Sequence, residues 1–190
     1  MIITKDDYVL RDLSLADEPF MYDTMRDFPT GPKMTLDEIR KLMSSLLMLT
    51  EGFDADRVST PEGAGHCMIL EYQGVPTTFR YTYYQDNQGD VRLAATHPTA
   101  RGNGMFQASA HLHGHLYFEV LGIESVSFDL VDTPDVNATA AGWRALSKER
   151  ETSRESRYNP DQKLSRLTVT SSMWKARIQE YPQFLNPDLR

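Results

Sequence analysis

Residues 95–106 read Ala-Thr-His-Pro-Thr-Ala-Arg-Gly-Asn-Gly-Met-Phe, a glycine-rich turn between a predicted strand and a predicted helix. Val91 to Thr96 has the composition of a short buried strand, and Pro98 ends it. Apolar residues then recur at helical spacing, at Met105, Ala108, Leu112, Leu116 and Val120. The first backbone N–H groups of such a helix lack partners within the helix. The stretch therefore predicts an anion-binding loop, for which phosphate is the natural ligand.

Two common phosphate-binding loops fit this stretch poorly. A Walker loop requires Lys followed by Ser or Thr after its last glycine, whereas Met105 and Phe106 follow Gly104. A dinucleotide fingerprint requires a third glycine three residues after the second, and Gln107 stands at that position. The residues after Gly104 exclude the first loop, and the glycine spacing disfavours the second.

The loop resembles the pyrophosphate loop of the GCN5-related N-acetyltransferase (GNAT) family, which reads Arg/Gln-x-x-Gly-x-Gly/Ala after a strand that commonly ends in Val-x-Pro. Arg101 and Gly104 match this pattern, and His97-Pro98 lies in register before it. Phe106 occupies the last Gly/Ala position. Its contribution there would be a backbone N–H, which every residue except proline can donate.

The elements predicted around the loop follow the order of the same family. Tyr8–Leu13 resembles its first strand, and Ser125–Asp132 alternates like a strand after the helix that the loop begins. Three β-rich runs separated by turn residues predict an antiparallel meander, at Cys67–Tyr72, Val75–Gln85 and Val91–Thr96. The resemblance covers roughly residues 7–145. It implies an α+β GNAT-like acyl-CoA N-acyltransferase fold, in which helices flank a mixed central sheet that contains the meander.

Two helices are predicted between the first strand and the meander. Asp17-Glu18-Pro19 has the form of a helix start, and Thr35 with Glu38 matches a capping box. An apolar stripe follows the box, at Leu36, Ile39, Leu42, Met43, Leu46 and Leu49. The polar segment from Gly52 to Gly65 is expected to be a loop.

The composition is that of a single soluble domain. Of 190 residues, 40% are hydrophobic and 25% are charged, and no Gly/Ser/Pro-rich linker divides them. We expect one domain over residues 1–190, with a core over about 7–145 and a C-terminal extension over 146–190. That extension is a candidate for self-association or for docking to a larger assembly. No apolar run has the length of a membrane span and no signal peptide is evident, so we expect a cytoplasmic protein.

Charge and metal-binding residues narrow the class of partner. The net charge of −7 argues against a nucleic-acid-binding protein and suits a cationic substrate. Cys67 is the only cysteine, which excludes an internal disulfide and a cysteine metal cluster. His111 and His115 would share a helix face, but the sequence offers them no third ligand nearby, so no metal site is predicted.

The resemblance implies acetyl-CoA as the cosubstrate. Backbone N–H groups of the loop would hold its pyrophosphate, and the preceding strand edge would pair with pantetheine. The implied cofactor-binding residues are Ala95, Thr96, Arg101, Gly102, Asn103, Gly104, Met105, Phe106 and Asn137. The implied reaction is N-acetylation of a primary amine of a small molecule or peptide.

Acetyl transfer requires a proton acceptor, because only the neutral amine is nucleophilic. In the histone-acetyltransferase branch of the family, a glutamate lies on the strand about eleven residues before the loop. Asp90 holds that position here. Its neighbour Gly89 leaves a role in a hairpin turn as an open alternative. Glu71, on an earlier strand, is the second candidate base.

The helix expected after the last of these strands departs from the family's Asn-x-x-Ala-x-x-Leu-Tyr pattern. Trp143 and Arg144 stand where the Leu and the leaving-group acid Tyr belong. Either water or another group, such as Tyr117 or Tyr158, assists the thiolate, or catalysis has been lost. The alternative is therefore a catalytically silent GNAT-fold structural or interaction protein, for example a bacteriophage virion component, in which case the location would be the virion.

Overall fold

The computed structural model describes residues 1–26, 34–131, 152–155 and 163–190. The strands within these ranges are β1 Ile2–Lys5, β2 Tyr8–Asp12, β3 Ala64–Tyr72, β4 Val75–Gln85, β5 Gln88–Thr96, β6 Ser125–Val131, β7 Thr152–Glu155, β8 Lys163–Thr170 and β9 Asp188–Leu189. The α-helices are α1 Glu18–Arg26, α2 Leu36–Glu51, α3 Met105–His115 and α4 Ser171–Ile178. A π-helical turn, Leu116–Val120, continues α3.

The strands form one sheet in the order β7-β8-β6-β5-β4-β3-β2-β1-β9. Every described strand pair is antiparallel except β5 with β6, which are parallel. The predicted meander is β3-β4-β5. The architecture is thus a mixed sheet flanked by helices, as predicted for an α+β fold.

Tight turns with left-handed backbone connect the strands of the meander. Gln73 and Gly74 have φ of 52° and 76°, and Asp86 and Asn87 have φ of 52° and 59°. Paired positive φ values are typical of two-residue hairpin turns, which match the twist of the strands they join. The second turn lies at Asp86-Asn87, so β5 begins at Gln88, three residues before the predicted start at Val91.

Successive strand residues point to opposite sides of the sheet, so each strand contributes side chains to both faces. Helices cover both of these faces. On one face, Cys67 and Ile69 pack with Met21 of α1 and Ile39 of α2. On the other, a larger cluster joins the sheet to α3 and α4, including Met68, Leu70, Leu112, Leu116 and Trp174. The first is called here the α1/α2 face and the second the α3 face.

Helix α2 begins as its sequence predicted. Thr35 accepts a hydrogen bond from the Glu38 N–H, and the Glu38 carboxylate accepts one from the Thr35 N–H at 2.8 Å. This reciprocal capping box satisfies two N–H groups that a helix start leaves free. The following loop is shorter than the expected Gly52–Gly65, since it contains a 3₁₀ turn at Ala55–Ser59 and β3 begins at Ala64.

Both ends of the chain hold more regular structure than the sequence indicated. Ile2–Lys5 forms a hairpin with β2, and Asp188–Leu189 adds an edge strand to it. Helix α4 spans Ser171–Ile178, and Thr170 caps it by accepting a hydrogen bond from the Met173 N–H. Strand β8 pairs with β6, and Trp174 is buried. Residues 163–190 therefore belong to the same sheet and core as β1 to β6.

The described helices do not include one that is both long and apolar enough to cross a membrane. Within the described ranges, the structure also brings together no cluster of three His, Cys, Asp or Glu side chains with metal-site geometry.

Candidate active site

The sheet opens between its two parallel strands. Strands β5 and β6 pair from Gln88 with Ser125 up to Val91 with Phe128. Beyond that point each continues with its outer neighbour only, β5 with β4 as far as Thr96 and β6 with β8. The edge of β5 after Val91 is therefore without a described strand partner on the β6 side. Such an edge can accept an added extended chain.

A β-bulge lies where this opening starts. Tyr81 of β4 pairs with Leu93 and Thr82 pairs with Val91, so Arg92 is an extra residue in β5. Bulges bend a strand and often re-aim backbone groups next to active sites. The bulge at Arg92 and the end of pairing at Phe128 define one point, which we call the apex of the opening.

The loop from β5 to α3 contains two glycines with left-handed backbone and ends at the start of a helix. Gly102 and Gly104 have left-handed φ of 78° and 74°, which glycine adopts without steric cost. The first helical bond at this end runs from the Ala108 N–H to the Gly104 carbonyl at 3.1 Å. The N–H groups of Met105 and Phe106 donate to no described backbone carbonyl. They lie at the N-terminus of an eleven-residue helix, where an anion is favoured.

Most of the implied cofactor-binding residues lie along one path. Ala95 and Thr96 end the open edge of β5, and residues 101–106 continue it to α3. Arg101 turns back along the path, since its Nε donates to the Thr96 carbonyl at 3.1 Å. Asn137 lies outside the described residues, so its cofactor role stays a prediction.

Asp90 lies beside the apex, one residue before Val91. Its Oδ1 accepts from Arg166 of β8 at 2.7 Å, and Arg166 also lies 3.4 Å from Asp129 of β6. Its Oδ2 is 3.5 Å from Arg92 Nε, which is long for a hydrogen bond. Asp90 is part of a half-exposed charge network that joins β5, β6 and β8.

Glu71 lies in a different part of the sheet. It accepts from Arg11 Nε at 2.8 Å, and Arg11 also forms two hydrogen bonds to Asp17. Burial alone would raise the pKa of Asp17, but hydrogen bonds from Arg11 and Ser14 hold that pKa below its ordinary value. Glu71 is aligned with Pro76 and Asp90 with Tyr83, which separates them by roughly 20 Å along the strands. The structure does not bring the two predicted bases together.

Tyr117, the candidate to assist the thiolate, and His97, the histidine before the loop, both lie away from the apex. The Tyr117 hydroxyl is 2.7 Å from Thr82 Oγ1 on the α3 face, where burial raises the pKa of Tyr117. His97 is at the loop end of β5, stacked on Phe20 with its Nδ1 2.8 Å from Thr99 Oγ1. Tyr158 lies outside the described residues.

Two features of the site were missed by the sequence analysis. The bulge at Arg92 depends on how two strands pair, and Arg166 meets Asp90 across 76 residues of chain. Arg166 lies in β8, and no sequence pattern indicated its contact with Asp90.

Comparisons with known proteins agree with this geometry. No protein-family model and no curated protein sequence matches the chain. Several solved structures do match the chain. FdhC, a nucleotide-linked sugar GNAT, is similar with a TM-score of 0.67 at 13% identity, over 98% of this chain and 99% of its own.

Two further structures show the same likeness. One is an acetyltransferase from Salmonella typhimurium that modifies the N-terminal serine of a 50S ribosomal subunit protein, with a TM-score of 0.67 at 12% identity over 90% of this chain and 99% of that one. The other is a chimera of the spermidine N-acetyltransferase from Vibrio cholerae and hSSAT, with a TM-score of 0.65 at 14% identity and the same coverage. The chain therefore has the GNAT acetyltransferase fold, which confirms the predicted fold.

Proposed function

We propose that this protein transfers an acetyl group from acetyl-CoA to a primary amine. The observation that carries the proposal is the path along β5, from the bulge at Arg92 through the open edge to the N–H groups of Met105 and Phe106. An extended pantetheine chain would add to this edge as a strand does. Its pyrophosphate would then meet the N-terminus of α3.

The proposed cofactor contacts are mainly backbone contacts. Ala95 and Thr96 would pair with pantetheine amides, and residues 101–106 would surround the pyrophosphate. Asp90 and Thr96 lie six residues apart on β5, or roughly 20 Å. The thioester would accordingly lie near the apex, at the opposite end of the strand from the pyrophosphate. Asn137 would add a contact from the next segment of the chain.

The chemistry at the apex is nucleophilic acyl transfer. The amine nitrogen forms a bond to the thioester carbonyl carbon, the C–S bond breaks, and the proton lost by the amine must reach a base. Asp90 is the proposed base, acting directly or through one water, because the ion-pair partner of its Oδ2 among the described residues is the distant Arg92 Nε. The thiolate is a competent leaving group, since an ordinary thiol has a pKa near 8.5, and water would return its proton.

Glu71 is the weaker proposal for the base. Its carboxylate is held by Arg11 at the loop end of the sheet, and the thioester would lie at the other end. We infer that its ion pair instead links β2 and β3 to the turn before α1.

The acceptor is proposed to be a small-molecule or peptide amine. The net charge of −7 attracts cationic amines and disfavours nucleic acids. The three structural neighbours named above have different acceptors, so the shared fold does not select one.

A thiol-release assay tests the proposal. Acetyl-CoA is incubated with the protein and a panel of primary amines, and free CoA thiol is measured with a chromogenic disulfide. Amine-dependent thiol release, with acetylated amine found by mass spectrometry, is the expected result. Cofactor binding without thiol release for any amine would contradict the proposed activity and favour the silent alternative.

A further inference from the structure

A cleft lies on the α1/α2 face of the sheet. It has a volume of about 310 Å³ and lies between the end of α2, the start of β3 and β4. Its lining includes Met48, Leu49, Arg57, Glu62, Gly65 and Tyr83. This volume is at the lower end of the range for small-molecule sites.

The floor of the cleft is backbone, because two glycines line it. A Cβ on Gly65 would lie 2.9 Å from the Tyr81 hydroxyl, and one on Gly63 would lie 2.8 Å from the Tyr83 hydroxyl. Gly63 also has a left-handed φ of 68°. A Cβ on Gly63 would also lie 2.3 Å from the Tyr84 carbonyl oxygen, so glycine is required at both positions for the floor of the cleft to lie this close to β4.

Tyr83 connects the cleft to the apex. The Arg92 guanidinium lies 4.3 Å from the centre of the Tyr83 ring, and Arg92 Nε lies 3.5 Å from the Asp90 carboxylate. Tyr83 also pairs with Asp90 across β4 and β5. Arg92 therefore lies next to both Asp90, the proposed base, and Tyr83, which lines the cleft.

The chemistry of the lining indicates what the cleft accepts. Met48 is 68% exposed although it is a large apolar residue, and it stands beside Leu49 and the Tyr83 ring. Arg57 and Glu62 are exposed and carry opposite charges, which leaves the cleft without net charge. An apolar segment with no second cation is the complementary ligand.

We propose that the cleft binds the apolar arm of the acceptor, which is a primary amine joined to an extended alkyl or arylalkyl group. This inference rests on the proposed function, since it takes the apex as the reaction centre. With the arm packed on Tyr83 and Met48, the amine nitrogen reaches Asp90 past Arg92. Burial of each methylene then lowers the KM for the amine.

The test compares a series of n-alkylamines with acetyl-CoA as donor. Each added methylene should lower the KM about fourfold until the cleft is filled, which is the effect of removing one CH₂ from water. Hexylamine should have a lower KM than 1,6-diaminohexane, which places a second ammonium group in the apolar part of the cleft. A KM that does not change with chain length would overturn the proposal.

Surface variants supply the matched control. Met48→Ser should raise the KM for hexylamine severalfold and leave that for ethylamine unchanged, and Met48→Leu should restore it. Leu15→Ser is the control, because Leu15 is 72% exposed and lies outside the cleft. Equal effects of Met48→Ser and Leu15→Ser would contradict the proposal.

A protein without turnover still gives an answer, because hexylamine binding can be measured by calorimetry. Binding that Met48→Ser weakens and Leu15→Ser does not would support the cleft while the proposed transferase activity fails. Absence of binding would overturn the cleft as well.

Discussion

The Tyr117 hydroxyl lies 2.7 Å from Thr82 Oγ1 in the core beneath the sheet. Tyr117 belongs to the π-helical turn after α3, and Thr82 pairs with Val91 next to the bulge of β5. One buried hydrogen bond thus joins the turn after α3 to β4, the strand that pairs with β5 at the apex. Single π-turns within helices are frequent at functional sites.

Tyr117→Phe should destabilise the protein by about 0.5–1.5 kcal/mol, because it removes the buried hydrogen bond to Thr82. Urea unfolding measures the change. Tyr22→Phe is the control, since the Tyr22 hydroxyl has no hydrogen bond to a described residue. A Tyr117→Phe protein as stable as this control would show that the bond contributes nothing.

The backbone of the α3 N-terminus can be tested at Phe106. Phe106→Pro removes one N–H in the first helical turn, where proline is tolerated because that N–H has no helical partner. A hydrogen bond to a charged group contributes about 1.5–3 kcal/mol, so acetyl-CoA affinity should fall roughly ten- to hundredfold. Phe106→Ala keeps the N–H and should bind nearly as the wild type does. Calorimetric affinities that are equal for the two variants would refute the cradle.

Gly114→Ala should disrupt the contact between α3 and α4. An added Cβ would lie 2.0 Å from Trp174 Nε1, and overpacking of this kind costs about 1–3 kcal/mol, which exceeds the helix-propensity gain of up to about 1 kcal/mol. Trp174→Ala in the same protein should remove the penalty of the added methyl group. A double-mutant cycle by denaturant unfolding measures this coupling, and additive effects would contradict the contact.

Variants at Asp90 and at Glu71 distinguish the two candidate bases. Asp90→Asn should lower kcat about a hundredfold, the scale of general-base catalysis, with little change in acetyl-CoA affinity. Glu71→Gln should leave kcat near the wild-type value and lower stability, because it loosens the Arg11 network. Steady-state kinetics distinguish them, and the reverse pattern would make Glu71 the base.

Stability should fall when the pH is lowered from about 6.5 to 4. Burial, together with the nearby Arg177 charge, lowers the pKa of His111 to about 4, so the unfolded chain binds more protons than the folded one in this window. The stability that a neutral His111 contributes is fully present above its unfolded pKa of about 6.5 and is lost as the pH approaches 4. The loss is roughly 3 kcal/mol.

His111→Leu measures this contribution, because the leucine cannot be protonated. Urea unfolding at pH 7.5 and pH 4 should show a smaller difference in the variant than in the wild type. The same drop in both proteins would assign the pH dependence to other groups, such as the buried His113.

The elements that the sequence predicted correctly depend on patterns of residues close together in the chain. The Thr35–Glu38 capping box predicted the start of α2, and the turn residues at Gln73-Gly74 and near Asn87 predicted the meander. The structure confirms both. The glycine spacing between Arg101 and Phe106 located the loop before α3. Each of these depends on local backbone geometry, which sequence reports directly.

The features that the sequence did not predict depend on pairing between residues far apart in the chain. The β9 edge strand pairs with β1 from the other end of the chain, and its two residues carry no periodic pattern. Likewise, the bulge at Arg92 follows from the relative register of β4 and β5, which a single sequence does not specify. The ion pair of Asp90 with Arg166 exists only after β8 has joined the sheet.

The central claim is that the open edge of β5 and the start of α3 bind acetyl-CoA, and thermal unfolding tests it most directly. A ligand at about a hundred times its Kd stabilises the folded state by about 2.7 kcal/mol. Millimolar acetyl-CoA should therefore raise the melting temperature by several degrees, and the Phe106→Pro protein should show a smaller rise. An unchanged melting temperature with millimolar acetyl-CoA would contradict the account.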